Sequence, residues 1–156
     1  MLIRVAGPSD IAAIVGIVNT AYEVERFFVE GNRTSAEDVQ AATSRGAFLV
    51  ATDEAGVIVG SVFVEVHGEL GAFGMLAVAP TVQRSGLGGR LIEAAEQRAA
   101  MLGASTMNIH VVNLRADLLP RYARLGYVPT GTAPYVDRPV VAACHFILMS
   151  KPLQVL

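Results

Sequence analysis

The chain has 156 residues, 53% of them hydrophobic and 17% charged, a length that suits one domain and a balance that excludes a disordered chain. Twelve basic and fourteen acidic residues give a net charge of −2, without the basic excess of a surface that grips nucleic acid by its phosphates. The longest apolar runs, Ile11 to Val18 and Gly56 to Val66, fall short of the ~20 residues a membrane-spanning helix needs.

At the N-terminus, MLIRVAGPSD has no basic segment leading into a long apolar core, so the expectation is a cytoplasmic chain without a signal peptide. Leu2 to Val5 reads as a short strand. Pro8-Ser9-Asp10 then offers a helix start, followed by Ile11, Ile14, Ile17, Val18 and Ala21 at helical spacing. A second helix is predicted to begin after Thr34 or Ser35, with Glu37 supporting its first turn, and to end before Gly46. Three strand-like runs come next. Ala47 to Thr52 and Val57 to Val66 flank the turn Asp53-Glu54-Ala55-Gly56 as a hairpin, and Leu70 to Val78 follows.

Beyond Ala79-Pro80, a glycine-rich turn opens an amphipathic helix. Leu87, Leu91, Ala95, Arg98 or Ala99, and Leu102 fall on one stripe, with Glu93, Glu96 and Gln97 opposite and Gly103 as the left-handed terminator. Thr106 to Val112 is a predicted strand, Leu114 to Leu125 a helix closed by Gly126, and Tyr127 to Thr130 and Ala142 to Met149 the final strands. Pro120 sits comfortably in that helix only if the helix proper starts near Asp117, which places it in the first turn. Cys144 is the only cysteine, so no internal disulfide and no cysteine-based zinc site are available. His145 beside it points to the opposite face of a strand, so the two do not cooperate. The element order favours an α/β (α+β) fold, a central mixed sheet with helices on its faces.

The segment that carries chemistry is Val78-Ala79-Pro80-Thr81-Val82-Gln83-Arg84-Ser85-Gly86-Leu87-Gly88-Gly89-Arg90-Leu91. Glycines at a strand-to-helix junction let the backbone approach a ligand without a Cβ in the way. The helix start offers unpaired N–H groups and the positive end of its dipole, which suit a diphosphate. Arg84, Arg90 and Ser85 can add donors. The same glycines also fit a plain tight turn. A Walker A loop requires a lysine, and the only lysine is Lys151; a dinucleotide fingerprint requires a glycine where Leu91 stands. What remains is Gln83-x-x-Gly86-x-Gly88 between a strand and an amphipathic helix.

At these residues the chain resembles the GCN5-related N-acetyltransferase (GNAT) superfamily, whose core motif is Q/R-x-x-G-x-G/A. Met75-Leu76-Ala77-Val78-Ala79-Pro80 resembles the family's fourth strand. Val112-Asn113 with Arg121-Tyr122-Ala123-Arg124-Leu125-Gly126-Tyr127 resembles its strand-five to helix-four segment, and Met149-Ser150-Lys151-Pro152-Leu153 its ending. The resemblance covers nearly the whole chain and implies one domain over residues 1–156. The implied fold has three layers, with a mostly antiparallel sheet, helices on both faces, and a splay between strands four and five. One departure stands out: where the family often has a glycine and then a basic residue before the first motif glycine, this chain has Arg84 and Ser85.

The resemblance implies acetyl-CoA as acetyl donor, no metal, and direct transfer to an amine of a small molecule or peptide. It assigns the cofactor to Leu76, Ala77 and Val78 of the fourth strand, to Gln83, Arg84, Ser85, Gly86, Leu87, Gly88 and Gly89 of the loop, and to Asn113. Asn113 reads equally well as a turn or capping residue. Tyr122 matches the family's general acid, while its helical face with Leu114, Leu118 and Leu125 also suits a core aromatic. The base is open among Glu65, His67, Glu69 and His110, with Glu69 favoured because it precedes the cofactor strand. The acceptor side falls on Tyr22 to Glu30, with Phe27, Phe28 and Glu30 as binding candidates, faced by Thr132 to Pro139 with Tyr135, Asp137 and Arg138. A homodimer through the C-terminal strands is compatible with the resemblance. The competing functions are a non-catalytic acyl-CoA-binding module and a protein-interaction domain.

Overall fold

The computed structural model describes residues 1–154; Val155 and Leu156, the end of the expected domain, lie outside the described residues. In chain order the elements are β1 (Leu2–Val5), α1 (Ile11–Ala21), α2 (Ala36–Ala42), β2 (Gly46–Thr52), β3 (Ile58–His67), β4 (Leu70–Val78), α3 (Leu87–Met101), β5 (Thr106–Val112), α4 (Leu118–Arg124), β6 (Val128–Pro134) and β7 (His145–Pro152). Short 3-10 turns at Pro8–Asp10, Tyr22–Glu25 and Pro80–Val82 join them. The strands form one seven-stranded sheet in the order β1-β2-β3-β4-β5-β7-β6. Every pair is antiparallel except β4 with β5, which run parallel.

Alternation along the strands divides the core into two layers. Phe48 and Val50 of β2 face α1 and α2, where they meet Ile14, Ile17, Val18, Val39 and Ala42. Leu49 and Ala51 point the other way, toward Leu87, Leu91, Ile92, Ala95 and Ala99 of α3 and Tyr122 of α4. The central strands are therefore buried on both faces, which is what the high apolar content of the sequence serves. Among the described residues no helix is long and apolar enough to cross a membrane.

The helix ends follow their residues. Ser35 caps α2, its Oγ accepting from the Asp38 N–H at 3.1 Å. Gly103 ends α3 in the left-handed region, with Ala104 N–H reaching back to the Ala99 carbonyl at 2.9 Å.

Several boundaries move from the sequence expectation. The helix expected from Leu114 begins instead at Leu118, so Pro120 does sit in its first turn; Arg115 before it closes a turn onto the Val112 carbonyl. β7 runs to Pro152 and β6 to Pro134, beyond the expected ends. Pairing sets those limits: β7 matches β5 from Val112↔Phe146 to Thr106↔Pro152, and the prolines of β6 lie in an edge strand, which tolerates them. In α3, Leu102 is exposed and Ile92 takes its expected place in the core. Glu96 is not on a solvated face: it accepts from the Tyr127 hydroxyl at 2.6 Å and from Lys151 Nζ at 3.1 Å.

Candidate active site

β4 and β5 pair only at Leu70↔Thr106, Gly71↔Met107 and Ala72↔Asn108, and then part. β5 stays with β7 over its full length, and β4 stays with β3. From Phe73 onward one edge of β4 therefore carries backbone donors and acceptors with no strand opposite, groups that need a partner when buried. The β3–β4 register also shifts here: Phe63 faces Gly74 and Ser61 faces Ala77, so two residues of β4 oppose one of β3. Met75 absorbs the bulge at a φ of +50°, an uncommon conformation for a side-chain-bearing residue. Its effect is to re-aim the strand. Phe73 and Leu76 face the α3 layer, whereas Met75 and Ala77 face α1.

A cleft of about 1060 Å³ runs through this gap. On the α3 side it is lined by Leu76, Val78, Gln83, Arg84, Gly86, Leu87 and Gly88, with Arg121 and Tyr122 from α4. Gly86 is the residue before α3 and takes a φ of +82°, which a Cβ would strain. Arg84 adopts +65°, so it holds the left-handed conformation that glycine supplies more cheaply. The loop is braced from within, as the Ser85 hydroxyl donates to the Val82 carbonyl.

Tyr122 is 9% exposed and packs edge-on against Phe73 and Tyr127, with ring centres 6.1 and 6.2 Å away. It is thus a core aromatic and a cleft residue at once. Burial raises its phenol above the ordinary range, against a smaller pull from Arg121 and Arg115.

The opposite end of the cleft is built by Tyr22, Glu25, Arg33, Arg45, Glu65, His110, Arg115, Tyr135, Asp137 and Arg138, among others. Glu25, almost fully buried, accepts from Arg138 at 2.6 Å and Arg115 at 3.2 Å. Burial raises its carboxyl, and the two guanidiniums pull it back only in part. Arg115 also bonds Asp117, and Arg138 reaches the Tyr135 hydroxyl at 3.4 Å. Arg33 lies 5.4 Å over the Tyr22 ring.

Several sequence candidates do not meet in this cleft. Glu69 is exposed on the β3–β4 turn, at the end where β4 and β5 still pair, and its carbonyl is bonded by Ser105. It is therefore removed from the reacting region. His67 is 70% exposed and bonds Glu65 at 3.2 Å. Of the four base candidates, Glu65 and His110 line the cleft. Phe28 is fully buried with Val29, Val112 and Phe146; Phe27 is 61% exposed, and Glu30 donates its N–H to Pro139. None of the three lines the cleft; from the same segment Tyr22 and Glu25 do.

Asn113 closes the β5–β7 end, accepting from the His145 N–H at 2.9 Å and donating its own N–H to the His145 carbonyl. Its turn reading is the one the geometry favours. Ala77 is buried among the α1 residues, so only the backbone there is available to the gap. Ser85 and Gly89 are on the loop and helix start but do not line the cleft. Arg90 points away and donates to the Met1 carbonyl. Besides Arg84 in the loop, Arg121 approaches the helix start, a residue the sequence does not single out.

Comparison with solved structures places the chain in familiar company. The ribosomal-protein-S18-alanine N-acetyltransferase from Escherichia coli superposes with a TM-score of 0.77 at 19% identity, covering 99% of this chain and 95% of that one. A GNAT superfamily phosphinothricin acetyltransferase from Sinorhizobium meliloti, in complex with AcCoA, gives 0.75 at 17% identity, covering 97% and 88%. Naa20 from Chaetomium thermophilum, in complex with a bisubstrate analogue, gives 0.77 at 18%, covering 98% and 87%. At such identities the likeness establishes the fold. A search of curated proteins gives no match. The family model described as acetyltransferase (GNAT) domain matches residues 13–149, and the chain belongs to that family.

Proposed function

We propose that the chain is an acetyl-CoA-dependent N-acetyltransferase that moves the acetyl group directly to the amine of a small molecule or peptide. The observation that carries this reading is the parting of β4 from β5 beside the glycine-bounded start of α3, with Tyr122 in the same cleft. A pantetheine arm is extended and amide-rich, so it suits the unpaired edge of β4. Its diphosphate suits the N–H groups at the start of α3. The solved complex of the Sinorhizobium meliloti relative with AcCoA supports the choice of donor.

The acceptor enters from the Tyr22–Arg33 side. An alkylammonium has a pKa of roughly 10.4, so a proton must leave before nitrogen can attack. We assign that proton to His110, on β5 beyond Asn108 where the strands have already parted. Glu65 is occupied by Arg45 at 3.7 Å and His67 at 3.2 Å, whereas His110 has a ring neighbour in Phe146 and no hydrogen-bond partner among the described residues. The amine nitrogen bonds to the thioester carbon, and a β4 N–H steadies the oxyanion. Collapse then breaks the C–S bond, and the Tyr122 hydroxyl gives its proton to the departing thiolate.

Titration with acetyl-CoA tests the reading. At about 100 times Kd a ligand that binds only the folded chain stabilises it by about 2.7 kcal/mol. Wild type should show that rise in melting temperature and release thiol with one member of an amine panel. Gly86→Glu should lose the rise through like charge at the phosphate site, while Gly86→Asn, which tolerates the left-handed backbone, should keep it. A wild type that does not respond to acetyl-CoA overturns the proposal; binding without turnover on any amine reduces it to a carrier module.

A further inference from the structure

Arg121 projects from α4 toward the first turn of α3. A Cβ built on Gly88 would stand 3.0 Å from one of its guanidinium nitrogens, with Val78 the next neighbour at 3.9 Å. Arg121, Gly88, Gly86, Gln83 and Arg84 line the same stretch of cleft. Among the described residues Arg121 has no ion pair and no side-chain hydrogen bond. Of the nearby cations, Arg90 is committed to the Met1 carbonyl, Arg115 to Glu25 and Asp117, and Lys151 to Glu96, while Arg84 of the loop shares the cleft with Arg121.

That position runs against electrostatics. A helix N-terminus is the positive end of its dipole and disfavours an arginine beside it; the carboxylate that feels Arg121 is Asp117, which is bonded to Arg115 instead. First-turn N–H groups and the exposed, forked guanidinium of Arg121 then face the same stretch of cleft. Both are donors, and both are satisfied at once by a dianionic group lying between them. Gly88 leaves room for this arrangement, since a Cβ there would crowd the guanidinium and make it shift aside.

We propose that Arg121 is a phosphate-binding residue that clasps the diphosphate of the acyl-CoA donor from the α4 side, against the start of α3. The assignment rests on the acetyl-CoA reading of the cleft and adds a charged residue outside the glycine loop. It also explains how the loop dispenses with Arg90, which faces away.

Binding of three thioesters to wild type and Arg121→Gln tests this, by calorimetry at low and high salt. Acetyl-CoA and acetyl-dephospho-CoA should each lose about 10- to 100-fold in affinity in the variant, the size expected of a charge-assisted contact. S-acetyl-pantetheine, which lacks the diphosphate, should change less than about twofold. The loss should shrink at high salt, and Arg121→Lys should recover part of it. Without ligand, Arg121→Gln should melt close to wild type, because an exposed arginine without a hydrogen bond or ion pair contributes little to the fold.

A loss confined to acetyl-CoA and absent with the dephospho form would move the contact to the 3′-phosphate and overturn the diphosphate assignment. Equal affinities of wild type and variant for acetyl-CoA, or an equal loss with the pantetheine thioester, would overturn the role of Arg121 while leaving the donor reading intact. A wild type that binds no acetyl-CoA would overturn both.

Discussion

Tyr122 has two surroundings, and they press on it in the same direction. Phe73 and Tyr127 hold its ring, and burial raises its phenol. A raised phenol stays protonated further into alkaline solution, which suits a donor to a thiolate. In the proposed reaction, Tyr122→Phe should therefore lower kcat and remove an alkaline limb lying above about pH 10. His110→Gln should also lower kcat, because the amine then loses the group proposed to take its proton. An unchanged profile in Tyr122→Phe would return the residue to the core alone. Tyr122 could be read in the sequence because it lies in a local motif, four residues before Gly126. Arg121 could not: its partner surface is Gly88, 33 positions away, and nothing local marks an arginine that crosses to another helix. The φ of Met75 was equally hidden, since a bulge is a property of two strands and not of one.

At the scale of elements, the join between β1 and α1 is held by one carboxylate. Asp10 accepts from Arg4 at 2.7 and 3.0 Å and from the Gly7 N–H at 2.8 Å. These contacts lower its pKa from 3.8 to about 2, the Arg4 hydrogen bond being the largest cause. A carboxyl depressed in the folded state adds stability that is complete above its unfolded pKa and disappears as pH falls through the folded one. The loss therefore belongs between about pH 4 and pH 2. Arg4 is 39% exposed, so solvent screening limits the contribution to about 1 kcal/mol. Urea titrations should find Asp10→Asn less stable than wild type by that amount at pH 7 and nearly equal to it at pH 2. The element order was readable from periodicity and punctuation, including the Ser35 cap and the Gly103 stop. The far ends of the last two strands were not, because Gly131, Pro134 and Pro152 are letters that argue against a strand until a partner is known.

Across the whole molecule, Glu25 ties together stretches that are far apart in the chain. Its carboxylate meets Arg115, 90 residues on, and Arg138, 113 residues on. All three side chains are largely buried. Forming such a cluster gains little, but removing its anion leaves the buried Arg138 without a carboxylate partner and Arg115 with only the exposed Asp117. Glu25→Ala should cost about 3 kcal/mol in chemical denaturation, and a cost under about 1 kcal/mol would mean that water enters and replaces the carboxylate. No sequence spacing announces contacts of this range. That is why Tyr22 to Glu30 was readable as a segment, while which of its members face the cleft was not: Tyr22 and Glu25 line it, and Phe27, Phe28 and Glu30 do not.

The three residue pairs joining β4 to β5 have a mechanical consequence. They divide the sheet into a four-strand slab and a three-strand slab that share a short stitch at one end, like two boards nailed at a corner. An extended molecule wedged into the open side would act as a cross-brace, making the line of least resistance to shear the place where occupancy stiffens the protein most. Slow amide exchange should then spread outward from the stitch along both slabs, and a filled wedge should be legible in residues that never touch it.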